Sequence, residues 1–252
     1  MPAPPPLVLL PGMNCSARLW GPAGDGALHP VLDRPGLDEQ VDALLAVLPA
    51  RFALAGLSLG GIVAMALARR APERVAGLCL AATSARAPTP GQRAGWAAAL
   101  TRLDDGAPAR DLQPLDVLLH DHAHDDLALA MADETGERRL AAQLRLQATR
   151  VDERPALAAV AVPTLVLAGE HDRLCPPGRH TEIADLVPGA RLHVLPGAGH
   201  LLPVEAPDTV ATLMGQWMAD VHARSPGPAP DPSAAPAPPG GHGSAHRSEP
   251  VR

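Results

Sequence analysis

Lysine and tyrosine are absent from this chain of 252 residues, phenylalanine occurs once and cysteine three times. Without lysine, the positive charge is carried by arginine alone, and the abundance of alanine, glycine and proline reflects a coding bias as much as a physical demand. No single small residue therefore carries weight by its frequency. Three cysteines are an odd number without metal-like spacing, which argues against a disulfide framework. Cys79 lies in an apolar run and reads as core, while Cys15 and Cys175 read as small side chains in loops. No apolar run approaches the ~20 residues that a membrane helix needs. The start, MPAPPPLVLLPG, lacks the basic residues and the apolar length of a signal peptide, so no membrane association and a cytoplasmic location are expected. The net charge of −6 is spread along the chain without a basic block, which argues against a nucleic-acid partner.

What is present is alternation. Length favours one α/β domain with a large core over two small ones. Short apolar runs at 7–10, 29–32 (His29-Pro30-Val31-Leu32), 52–57, 75–81, 164–168 and 192–195 read as strands. Between and after them, 37–48 places apolar residues at 37, 41, 44, 45 and 48, one face of a helix, and 60–70, 178–187 and 207–221 continue the theme. The expected fold is a mostly parallel six-stranded α/β sheet with helices on both faces. Residues 84–160 interrupt the alternation with helical patterns at 91–103, 113–119 and 136–149 and are expected to form an inserted helical lid. The domain is expected to span 1–222. The Pro-, Gly- and Ala-rich stretch 223–252 cannot bury enough surface to offset its ordering entropy and is expected to be a disordered tail.

Gly56-Leu57-Ser58-Leu59-Gly60 fits G-x-S-x-G, with an apolar run before it and a helical run after it. That motif demands a sharp strand-to-helix turn that lifts the serine hydroxyl above the sheet, and only small side chains fit two residues to either side. A serine needs a base, normally a histidine oriented by a carboxylate. Two later strand ends supply them in the order this motif requires: Asp172 after 166–169 and His200 in the glycine loop 197–200. Glu170, or a helix-capping role for Asp172, is the alternative at the acid position. Two backbone N–H groups must also face the oxyanion. Leu59 N–H, just after the serine, is one; Met13 N–H, from the loop after the first strand, is the other, with Asn14 next in line.

Six patterns stand in the order of one family: LLPG (9–12), DRPG (33–36), GLSLGG (56–61), PERV (72–75), PTLVLAGEHD (163–172) and GAGHLLPVEAP (197–207). On them the chain resembles the α/β-hydrolase superfamily of capped, cofactor-free serine hydrolases. The resemblance implies Ser58 as nucleophile, His200 as base, Asp172 as acid, Met13 and Leu59 as oxyanion donors, and a helical cap matching 84–160. The chain departs from the family in having Pro11-Gly12 where many members have His-Gly. It also has a short stretch from Met13 to Arg51 and no strand pair before Leu7. The 29–32 strand then becomes the sheet edge, where Pro30 is tolerated.

The stretch from His120 to Asp126 holds three histidines and invites a metal reading through His120 and His124, but its order of residues favours a solvated polar stretch, and no metal is expected. Trp20 and Trp217 read as core. Asn14, Trp96 and Leu201 are pocket candidates, and Arg86, Arg93 and Arg102 could meet a carboxylate. The expected function is hydrolysis of a small, largely apolar ester, lactone or thioester without a cofactor. Non-hydrolytic use of the same residues (cofactor-free peroxidation, carbon–carbon cleavage, acyl transfer) and a silent binding module are the alternatives. A small molecule is the expected partner, with monomer and homodimer both open.

Overall fold

Strands that are apolar at every position need cover on both faces, and the packing meets that demand. The computed structural model describes residues 4–224. Within them β1 (Leu7–Leu10), β2 (Phe52–Leu57), β3 (Val75–Ala81), β4 (Thr164–Gly169) and β5 (Arg191–Leu195) form one five-stranded parallel sheet in sequence order. β2, β3 and β4 are buried throughout, whereas β5 at the edge is largely open.

Sequential order with right-handed crossovers sends the connecting helices to one side. α1 (Leu37–Val47), α2 (Leu59–Arg70) and α7 (Pro177–Leu186) pack there, on Val8, Leu54, Leu78 and Val166. The alternate residues Leu9, Ala55, Cys79 and Leu167 face the opposite side. α8 (Leu202–Glu205), α9 (Pro207–Ala223) and the 3-10 segment Ala17–Gly24 cover that side. Trp20 and Trp217 are fully buried there, and Trp217 Nε1–H donates to Pro163 O at 3.0 Å.

The sheet has five strands, not six. Of the expected strand at 29–32, only its neighbour Leu28 pairs, in an isolated bridge to Val8. Leu28 N–H donates to Leu7 O at 2.8 Å and Leu28 O accepts from Leu9 N–H at 2.9 Å. The next backbone to face β1, two residues on, is Pro30, which has no N–H to offer, so the ladder stops after one rung.

Between β3 and β4 lie α3 (Pro90–Asp104), α4 (Leu115–Leu118), α5 (Asp125–Thr149) and α6 (Arg154–Leu157). α3 carries a full capping box from Thr89 and Gln92. α5 starts eleven residues before the expected 136, at a turn bearing Asp125 and Asp126, where acidic side chains suit a helix N-terminus. Gly136, at φ 71°, breaks it at the expected start. α9 runs past the expected boundary at 222, and the tail expected at 223–252 lies, from residue 225, outside the described residues. No helix among the described residues is long and apolar enough to cross a membrane.

Candidate active site

Ser58 sits between β2 and α2 at φ 53° and ψ −111°, a conformation that L-residues avoid. The surroundings enforce it. A Cβ on Gly56 would lie 2.2 Å from Gly60 O, and one on Gly60 would lie 2.3 Å from Leu10 O, so the turn closes only around hydrogen atoms. Ser58 N–H donates to Ala81 O (2.9 Å), and Ser58 O accepts from Ile62 N–H (3.1 Å) and from the Thr83 hydroxyl (2.8 Å). Thr83 is held in turn: its N–H donates to Nε2 of His180 at 3.0 Å. Neither Thr83 nor His180 stands out in the sequence, because each matters only through contacts with distant segments.

His180 is fully buried, and its pKa is pushed down to about 4; burial causes this and outweighs the attraction of the Asp172 carboxylate. Between that value and the ordinary 6.5, the unfolded chain binds a proton that the folded chain refuses. Stability is therefore full above the unfolded value and falls as pH drops through this window. His180→Gln is expected to be less stable overall but to lose up to about 3 kcal/mol less across that window, at 1.36 kcal/mol per pKa unit. Urea titrations at stepped pH check this, and parallel pH curves for the two proteins would refute it.

His200 and Asp172, from the loops after β5 and β4, are both almost wholly buried and meet at 2.8 Å, Nδ1 to Oδ2. The second oxygen, Oδ1, accepts from Leu174 N–H (2.9 Å) and Cys175 N–H (2.8 Å). An ionised carboxylate can only accept, so Nδ1 carries the proton and Nε2 is left as an acceptor. Glu170, the rival acid, is half exposed, and its Oε2 takes Gly197 N–H at 3.1 Å instead. Leu118 O in α4 receives the N–H groups of His200 (2.9 Å) and Leu201 (3.2 Å). Glu205 completes the clamp, accepting from Gly199 N–H at 2.8 Å and from His120 N–H at 2.6 Å.

The loop after β1 is pinned through Asn14, which adopts φ 56°. Its N–H donates to Gln143 Oε1 (2.8 Å), and its Nδ2 donates to Ala109 O and Gln113 Oε1 (3.0 Å each). Gln143 Nε2 reaches on to Leu32 O at 3.1 Å. Asn14 N–H is thus taken, which removes it as an oxyanion donor. Among the described residues, no acceptor takes Met13 N–H or Leu59 N–H. The partners of this clamp lie more than ninety positions away in the chain.

Ser58, His200, Met13, Asn14, Trp96 and Leu201 all line one cavity of about 440 Å³. Leu59 is buried and is not among the residues that line it. Leu57, Ile62, Leu112, Leu140 and Leu144 make much of the wall apolar. Cys15 and Cys175 also line it, and burial pushes both thiols up to about 12, well away from the thiolate. Among the described residues, three arginines reach the wall (Arg86, Arg150 and Arg179) and no Asp or Glu does. Arg93 and Arg102 are turned elsewhere, to Ala148 O and Asp111 O. His120 stacks on His171 with ring centroids 3.9 Å apart, and His122 Nδ1 faces Asp125 at 3.1 Å. Among the described residues, no three His, Cys, Asp or Glu side chains converge as a metal site.

A parallel sheet carrying a strained serine at a glycine-flanked strand-to-helix turn, with a buried His–Asp pair at later strand ends, defines a hydrolase class. The family model described as serine aminopeptidase, S33, matches residues 37–207, and the chain belongs to the α/β-hydrolase family. A pimeloyl-acyl-carrier protein methyl ester esterase of Aromatoleum aromaticum is 34% identical over 245 residues, covering 83% of this chain and 96% of that protein. A thermophilic esterase from Thermogutta terrifontis, solved with malate bound, superposes with a TM-score of 0.77 at 26% identity, covering 86% of this chain and 90% of that one. MenH from S. aureus also reaches a TM-score of 0.77, over 88% of this chain and 96% of its own; at 20% identity that likeness concerns the fold alone. The chain is an α/β-hydrolase enzyme.

Proposed function

We propose that this enzyme is a serine esterase that cleaves a small carboxylic ester, lactone or thioester through an acyl-enzyme on Ser58. The observation that carries the reading is the buried His200–Asp172 pair at 2.8 Å, whose His200 lies on the wall of the cavity that also holds the strained Ser58. Ser58 Oγ attacks the carbonyl carbon while Nε2 of His200 takes the hydroxyl proton. The C=O electron pair moves onto oxygen, and the N–H groups of Leu59 and Met13 receive the oxyanion; one such donor contributes about 3 kcal/mol to the transition state. Collapse expels the alcohol or thiol, which takes the proton from His200, and water then repeats the sequence on the acyl-enzyme. Asp172 keeps the imidazole in the tautomer that these steps need.

α3 to α6 act in this reading as a cap that shapes the acyl pocket, since Trp96, Leu140 and Leu144 come from them. The ester named for the Aromatoleum aromaticum relative supports an ester as the bond cleaved. The test is labelling of the wild-type protein by a fluorophosphonate, together with turnover of 4-nitrophenyl esters of increasing chain length. One label per chain and turnover of the shorter esters are expected; a wild type that takes no label sinks the reading.

A further inference from the structure

Arg150 follows α5 and is 8% exposed, yet among the described residues no carboxylate forms an ion pair with it. Its partners are neutral: Nη1 donates to Gln147 Oε1 at 2.9 Å, Nη2 donates to Gln92 Oε1 at 3.0 Å, and the guanidinium lies 5.3 Å from the centre of the Trp96 ring. Nε–H, although buried, has no acceptor. Burial lowers its pKa and nearby Arg93 adds to that, but a guanidinium remains charged in proteins. The cost of an unpaired buried charge is several kcal/mol, far above what two amide oxygens and one aromatic face return.

Helix geometry does not close the gap. The C-terminus of α5 carries at most about half a negative charge, and its Ala148 carbonyl is taken by Arg93. Arg86, the second cation in the wall, is already paired with both oxygens of Glu182 at 2.9 Å. Arg150 is therefore a cation in the wall of the cavity that holds Ser58, with no carboxylate among the described residues to neutralise it.

We infer that Arg150 receives a carboxylate on the substrate, so that the enzyme selects esters whose acyl chain ends in a second, ionised carboxyl group. This rests on the esterase reading of Ser58 and sharpens it. Nη1 and Nη2 each carry a second N–H beyond the one given to a glutamine, and a planar pair of such donors is what a carboxylate accepts in bidentate fashion. The wall of the same cavity includes Leu140, Leu144 and Ile62, which suit methylene groups. Such a substrate is the half-ester of a linear dicarboxylic acid.

The test compares 4-nitrophenyl half-esters of succinic to suberic acid with 4-nitrophenyl esters of monocarboxylic acids of equal length. In the wild type the charged ester of the best-fitting length is expected to exceed its neutral counterpart in kcat/KM by about tenfold or more. Arg150→Gln is expected to erase that ratio chiefly through KM, and Arg150→Lys to keep part of it. Because the readout is a ratio, a general loss of activity cancels. Neutral esters preferred at every length, or a ratio unchanged in Arg150→Gln, overturns the inference. Calorimetry on Ser58→Ala separates it from the esterase reading: methyl hydrogen adipate is expected to bind at least about tenfold more tightly than methyl hexanoate, and equal binding overturns it. Undiminished turnover by Ser58→Ala would instead defeat the esterase reading and leave the binding comparison to decide on the carboxylate. Tighter binding of a phosphate-terminated analogue would overturn the choice of carboxylate.

Discussion

Ser58→Ala is expected to lower kcat for ester hydrolysis by about four to six orders of magnitude and to abolish fluorophosphonate labelling. The variant should fold, because the contacts that hold the turn run through the backbone of residue 58, to Ala81 O, Ile62 N and Thr83 Oγ1, and not through its hydroxyl. What disappears is the nucleophile alone. Any residual rate would come from the Leu59 and Met13 N–H groups acting on water attack, which leaves about 10³- to 10⁴-fold over the uncatalysed reaction in comparable enzymes. Circular dichroism matching the wild type, beside a rate at that floor, is the expected result. A rate within tenfold of wild type would remove Ser58 from the mechanism.

Asp172→Asn is expected to cost about 10⁴-fold in kcat with little change in shape. The size of the effect follows from the hydrogen bonds at the other carboxylate oxygen. Leu174 N–H and Cys175 N–H both point at Oδ1, so an asparagine must offer its oxygen there and turn its amide N–H₂ toward His200. Nδ1 of His200 then has to accept, the ring proton moves to Nε2, and that nitrogen can no longer take the proton of Ser58. Glu170→Gln serves as the comparison. Its carboxylate is half exposed and is met by Gly197 N–H and His171, and surface changes of this kind shift energies by a few tenths of a kcal/mol, or about twofold in rate. Equal losses in the two variants would mean that the wrong acid has been assigned.

The parts of the site differ in how legible they are along the chain. Ser58, Asp172 and His200 stand out because each follows the end of a strand, with Gly56 and Gly60 around Ser58, Gly169 at the end of the strand before Asp172, and Gly197 and Gly199 before His200. The loop after β1 can be read as far as its position. What holds it, the Asn14 clamp to Gln143, Gln113 and Ala109, joins segments with no shared pattern. Leu28 to Leu32 illustrates the opposite failure, since an apolar run beside Pro30 has strand composition yet only one rung of pairing. Whether a ladder extends depends on the N–H groups facing the neighbour, and that requires the register.

The sequence by itself determined the parallel α/β sheet, its helical cover and the strand ends at which Ser58, Asp172 and His200 emerge. Those features follow from local causes: runs buried on both faces, helical periodicity, and glycines where a Cβ cannot fit. Only the tertiary structure decided that Asp172 and not Glu170 faces His200, that Asn14 N–H is spent on Gln143, and that Arg150 stands in the cavity wall without a counter-charge among the described residues. Each of those depends on which distant atoms compete for one donor or one charge. Such competition is settled only once the chain has packed, because it arises between segments that share neither spacing nor pattern.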